Sequence, residues 1–337
     1  MSCFAGDRIG STRAYSGHRN APPILEPVRV VWRGNILRFA RAHASIRQGA
    51  KRVARLTISL LYYIALAFWR FTLQLTGRSP ARRLVVIYYH GIPDAYRSKF
   101  VRQMESIRRG AKVFPAFHRG SLPAGKANVA ITFDDAYVSV AENALPELAS
   151  RGFHSTIFVP TATLGGPPSW TMEEGCPDSC EFVMPAEQIA KLASPLVTLG
   201  AHSCTHPRLS RLTLSDARAE IEGSRIELQN LTGQDIRLFS LPYGDHSPST
   251  IELCREAGYE AVFSTIPTSV DTKGPGFVRG RVKVDPFDGR LEFFLKYNGA
   301  YAWAPYVSAL KRTLRNHWQS PAAHLGLVAS DRQGRRS

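Results

Sequence analysis

Val129-Ala130-Ile131-Thr132-Phe133-Asp134-Asp135 is the stretch from which the fold is read. A short run of apolar and β-branched residues predicts a strand buried on both faces. Two carboxylates follow it, where parallel α/β folds place their sites, at the carboxyl end of a strand. Strand and helix signals alternate outward from it. Leu84–Tyr89, Ser155–Val159, Leu196–Gly200, Ile236–Phe239 and Ala261–Ser264 predict further short strands. Ser98–Arg109, Val138–Ser150, Ala186–Ala193, Leu214–Leu231 and Pro248–Ala257 predict helices. Thr213 or Ser215 starts one of these, Thr232-Gly233 stops it, and Ser247 with Pro248 opens the next. Repeated β-then-α implies a parallel sheet, open or closed into a barrel.

The 337 residues carry a formal net charge of +16, unevenly spread. Residues 1–83 hold 15 basic and 2 acidic side chains, residues 84–310 hold 22 and 24, and residues 311–337 hold 6 and 1. The middle is near neutral and both ends are basic. With no helix-turn-helix, zinc-finger or RNP-type pattern, nucleic acid is not an expected partner. Basic flanks beside an apolar run point to a membrane instead.

That run is Leu56–Leu75, long enough to span a hydrocarbon core of about 30 Å. An interfacial helix, a signal-peptide core and a buried helix are the rival readings. Six basic residues precede the run within twenty positions and three follow it, which favours a main domain outside the cytoplasm at the inner (plasma) membrane. The expected organisation is a basic, poorly ordered segment 1–55, an anchor-like helix 56–76, a catalytic domain 81–305 and a basic tail 306–337. Five cysteines make no disulfide framework. Cys176 and Cys180 are either a loop disulfide of an exported domain or two unrelated thiols.

Four polar elements follow predicted strands. In Asp134-Asp135, side-chain alternation lets one carboxylate bind a metal while the other accepts a proton; a helix-start pair is the bland alternative. In His202-Ser203-Cys204-Thr205-His206-Pro207, the two histidines share one face if the turn is helical, and two His with one Asp suit a hydrolytic metal centre. Pro242-Tyr243-Gly244 is a turn that could offer a backbone N–H to an oxyanion. His90 in Tyr88-Tyr89-His90-Gly91 is, taken alone, more often a structural histidine.

Together, in this order, the four elements resemble the polysaccharide deacetylase family (NodB-homology domain, carbohydrate esterase family 4) over roughly Leu84 to Tyr301. The PYG run after Leu231 and the stretch KYNGAYAW from Lys296 add to the likeness. The early YHGI resembles circularly permuted members, whose catalytic His lies on the first strand. The resemblance implies a distorted (β/α) barrel and metal-dependent removal of N-acetyl groups from GlcNAc-containing glycans. It implies Asp134 as general base, and Asp135, His202 and His206 as ligands of a divalent metal, Zn²⁺ first, with Co²⁺, Ni²⁺ or Fe²⁺ acceptable. It implies His90 as general acid and the Tyr243 backbone N–H as oxyanion donor, with Pro242 beside the substrate. Ser240 stands where many members carry an arginine that orients the base; Arg281 is the expected substitute. The DxxDW element of unpermuted members is not recognisable. Trp170, in the long loop 165–182, is a candidate substrate contact if that loop is a lid. The alternatives are a catalytically silent carbohydrate-binding relative and a same-fold hydrolase of another non-peptide C–N bond.

Overall fold

A computed structural model describes residues 28–172, 175–274, 276–307 and 310, with side chains from residue 49 onward. It divides into two units, one up to Leu61 and one from Tyr62. The first consists, among the described residues, of helix α1 (Val28–Leu75) as far as Leu61. The helix begins at Val28, inside the basic segment 1–55. The unit boundary falls inside the apolar run. Gly49–Leu75 is long and apolar enough to cross a membrane, by length and composition. Residues 1–27 of the basic segment, and most of the tail 306–337, lie outside the described residues.

The second unit continues α1 from Tyr62 and then alternates. Its elements are β1 (Leu84–Tyr89), α2 (Asp94–Gly110), β2 (Ala111–Val113), β3 (Ala127–Phe133), α3 (Leu145–Ala149), β4 (Ser155–Val159), α4 (Ala186–Ala190) and β5 (Val197–Ala201). They continue with α5 (Leu214–Thr232), β6 (Leu238–Ser240), α6 (Pro248–Glu256), β7 (Ala261–Ser264), β8 (Val278–Gly280), β9 (Val282–Lys283) and α7 (Arg290–Tyr297). Thr213 caps α5 by accepting from the Asp216 N–H, and Gly233 ends it at φ 66°. Ser247 and Thr250 form a capping box on α6.

Every ladder between the strands is parallel, in the order β8-β7-β6-β5-β4-β3-β1-β9, with β2 on the side of β3. The two ends of this order are neighbours in sequence. Val278–Gly280 pairs with β7, Val282 and Lys283 pair with β1, and only Arg281 lies between. One short segment thus nearly closes the barrel, and it hangs Arg281 at the join. The approach is tight: a Cβ on Gly280 would run into Thr268 Oγ1 and the Ile266 carbonyl. The result is the distorted (β/α) barrel anticipated from the sequence.

Alternation sorts the strand residues. Val85, Ile87 and Tyr89 join the large core under the helices, with Val129, Ile131 and Phe133. Leu84, Val86, Ala130, Phe158, Leu238, Ala261 and Phe263 form a second cluster that plugs the barrel. The inward positions at the carboxyl ends of the strands are then left for chemistry.

Candidate active site

His90, Asp134 and His202 each lie just past a strand, in phase with its inward residues: Val86 and Tyr88, Ala130 and Thr132, Gly200. Period-2 alternation alone therefore aims three polar side chains at the barrel mouth. Asp134 is buried and held by Arg281, whose Nη1 and Nη2 donate to its two oxygens at 2.7 and 2.8 Å. Arg281 is fully buried. Its Nη2 also donates to Ser240 Oγ at 2.7 Å, and Ser240 Oγ donates to Asp134 Oδ1 at 3.3 Å. The guanidinium lies 4.5 Å from the Tyr88 ring and 5.3 Å from the Phe158 ring, a cation–π floor. Burial works to raise the Asp134 pKa, but Arg281 and His202 outweigh it and hold the carboxyl well below its usual range. Ser240 of β6 and Arg281, distant in sequence, together hold Asp134.

Alternation fails at the next residue, and usefully. Asp135 and Ala136 take left-handed φ of 69° and 49°. The chain reverses there, so Asp135 faces the same pocket as Asp134. Ser203, His206 and Tyr243 are left-handed too, at 62°, 59° and 57°. Among the described residues these five are all the non-glycine positions with positive φ, and all belong to the site. Such conformations cost about 1–2 kcal/mol each and concentrate where function demands them. The turn between the histidines is therefore not helical, so helical spacing is not what brings them together. His202 and His206 converge through two left-handed residues, and the His206 N–H donates to Ser203 Oγ at 3.0 Å.

Asp135, His202 and His206 form a buried cluster whose candidate donor atoms all lie within 4.8 Å of one another. Asp135 Oδ1 is 3.5 Å from Nε2 of each histidine. Two ligands about 2.0–2.1 Å from a tetrahedral ion stand about 3.4 Å apart, so the spacing fits a divalent cation. His202 Nδ1 lies 2.8 Å from the Ser240 carbonyl; donating there leaves Nε2 as the free lone pair. Asp135 Oδ1 is buried with no hydrogen-bond donor among the described residues. Burial, opposed by Asp134, lowers His202 to about 4. Burial and His202 push His206 down as well. Both imidazoles are thus kept neutral, as ligation requires. Burial, with Asp134 and Asp178 nearby, pushes the Asp135 carboxyl up.

Glu220 of α5 was not singled out from the sequence. Its Oε2 accepts from the Cys204 and Thr205 N–H groups, both at 2.9 Å, and its Oε1 from Thr205 Oγ1 at 2.6 Å. It pins the loop between the two histidines to a helix. Cys204 points away from the cluster, against the Glu220 carbonyl at 3.7 Å. No local pattern marks Glu220, because its partners lie 15 and 16 positions away.

The loop 165–182 touches the site at three points. The Trp170 ring sits 4.5 Å from the His206 ring, Tyr243 Oη donates to the Thr171 carbonyl at 3.2 Å, and Asp178 Oδ2 is 3.9 Å from His90 Nδ1. Cys176 carries a thiol that donates to Asp178 at 3.6 Å. Burial lowers the His90 pKa, with Asp134 and Asp178 opposing. Pro242 is buried in the turn that carries Tyr243.

Known proteins share part of this sequence and the barrel fold. Residues 122–262 match the family profile described as polysaccharide deacetylase. It is 25% identical over 158 residues to YxkH of Bacillus subtilis (strain 168), a protein itself assigned only provisionally as a polysaccharide deacetylase. The match covers 47% of this chain and 52% of that one, so the chain spans about half the length of this curated relative. The structure of IcaB from Ammonifex degensii is similar at 27% identity and TM-score 0.52, covering 66% of this chain and 97% of that one. The Streptococcus pyogenes deacetylase PplD, solved with acetate, shares the fold at 17% identity and TM-score 0.53, covering 65% and 99%.

Proposed function

We propose that this chain hydrolyses N-acetyl groups of a GlcNAc-containing poly- or oligosaccharide, releasing acetate. The observation that carries the reading is the buried Asp135–His202–His206 cluster beside an Asp134 kept ionised by Arg281. The profile match over residues 122–262 supports a polysaccharide substrate, and PplD, a deacetylase of the same fold, was solved in complex with acetate. Asp135, His202 and His206 would hold a divalent metal, Zn²⁺ by donor set. Such an ion would polarise the acetyl carbonyl and make a water molecule easier to deprotonate. Asp134 accepts the proton of the attacking water, and Arg281 with Ser240 fixes its oxygens. The Tyr243 N–H, presented by a left-handed turn, donates to the oxygen that gains charge. His90 delivers a proton to the departing nitrogen; Asp178 and Asp134 favour its charged form against burial. Trp170, beside His206, and Pro242, in the turn that carries Tyr243, would contact the acetyl group. The chain works at a membrane through the apolar run, outside the cytoplasm where such polymers lie.

Acetate release from chitooligosaccharides by the full chain tests this. Release should stop with a chelator and return on adding Zn²⁺. Release that a chelator leaves untouched would sink the metal; none from any N-acetylated glycan, with metal demonstrably bound, would sink the reaction. Glu220→Ala should weaken metal binding by about 10–100-fold in competition with a chelating dye, because the loop between two ligands loses three hydrogen bonds. Glu220→Gln should keep part of that affinity through its remaining acceptor oxygen.

A further inference from the structure

The apolar end of α1 is two-sided. From Tyr62 it belongs to the same unit as the barrel. Tyr63, in the middle of the run, packs edge-on against Phe294 of α7 with ring centroids 5.4 Å apart. Tyr63, Arg70 and Gln74, at steps of seven and four, line a cavity with Arg82, Val85, Lys126 and Asn128. Those partners surround the amino ends of β1 and β3, the end of the barrel opposite the site. Ile64, Phe68, Phe71 and Leu75, at steps of four, three and four, occupy the other side of the helix. They are 55%, 68%, 55% and 71% exposed, with Trp69 beside them. This is an apolar stripe of helical period turned outward.

A helix crossing a bilayer meets lipid or protein packing through about 20 residues. Here, from Tyr62 onward, one side of the helix faces a barrel end bearing Arg82 and Lys126, with Arg70 of the helix itself on that side. Arg78 and Arg83, both exposed, follow the stripe directly. An apolar face with an aromatic edge and flanking cations complements an anionic membrane surface.

We propose that Ile64, Phe68, Phe71 and Leu75 insert into the interfacial layer of an anionic bilayer, so that this helix lies along the membrane and does not cross it. The barrel then stands on the bilayer by the amino ends of its strands. The site opens at the far ends, about 20 Å higher for a six-residue strand. On the deacetylase reading, the substrate is therefore a polymer that reaches away from the membrane, and a sugar held at the lipid headgroups is out of range.

The test uses full-length protein and preformed vesicles of phosphatidylcholine, with and without phosphatidylglycerol. The wild type should bind the mixed vesicles without detergent and bind neutral ones more weakly. Phe68→Glu/Phe71→Glu should lower the partition at least about 100-fold, with an unchanged circular dichroism spectrum and unchanged acetate release from a soluble oligosaccharide. The emission shift on adding vesicles should shrink in Trp69→Phe. Binding by the doubly substituted chain equal to wild type would overturn the proposal. So would insertion that needs detergent and leaves the two ends of α1 on opposite sides of the vesicle. Concentration-dependent dimers lost in the variant, with no vesicle binding, would assign the face to a second copy and also overturn it. If vesicle binding behaves as expected but neither protein, with metal bound, releases acetate from any N-acetylated glycan, the deacetylase reading fails and the docking face stands.

Discussion

Arg281→Met is expected to cost about 3–5 kcal/mol of stability, because it leaves the Asp134 carboxylate buried without its cation. The arginine has no exposed surface, and its guanidinium fork fits both carboxylate oxygens. Methionine fills similar volume against Tyr88 and Phe158, so the loss comes from charge more than from a cavity. At about 2–4 °C per kcal/mol for a domain of this size, the melting temperature should fall by about 10 °C. A double-mutant cycle checks the cause. Asp134→Leu should recover part of the loss in the Arg281→Met background and be destabilising by itself, since each single change strands one charge. Strictly additive losses would mean that the pair does not act as a unit. Acetate release should also collapse in Arg281→Met, because the carboxylate loses both its orientation and the charge that keeps it ionised.

Asp134→Asn should reduce acetate release by about 10²–10⁴-fold, the range of a lost general base. Metal affinity should stay within a few-fold of wild type, because Asp134 is not among the cluster that converges on a cation. Asp135→Ala is the contrast: it should lose the metal and, with it, the activity. The two substitutions are adjacent in sequence and should separate cleanly in a metal-binding assay. Activity is to be normalised to folded protein, since asparagine leaves Arg281 with a neutral partner. Equal loss of metal in both variants would show that Asp134 is a ligand and refute its assignment as base.

The separate behaviour of these two aspartates shows what the sequence could and could not reveal. Strands β1, β4 and β7 stand where their apolar runs placed them, because strands covered on both faces need continuous hydrophobic runs. The site positions His90, Asp134 and His202 follow in the same way from the runs of β1, β3 and β5, one inward step beyond each. The pairing of Arg281 with Asp134 was anticipated only through a family likeness. The short strands β2, β8 and β9 and the helix α7 were not anticipated at all. Two or three residues carry no periodicity to read, and β8 and β9 exist because the barrel edges need partners.

Local sequence determined which residues could form strands, where helices start and stop, and which polar side chains stand at strand ends. These are nearest-neighbour matters of burial, alternation and capping. Tertiary structure alone decided that Asp135 turns back beside Asp134 and that His202 and His206 meet without a helix. It alone brought Glu220 and Asp178 to the loop between the two histidines and to His90, and gave α1 from Tyr62 onward one side near the barrel and one exposed apolar side. Each of these depends on left-handed backbone or on contacts between distant segments. Their cost is met by packing across the whole barrel, and no window of sequence contains that packing.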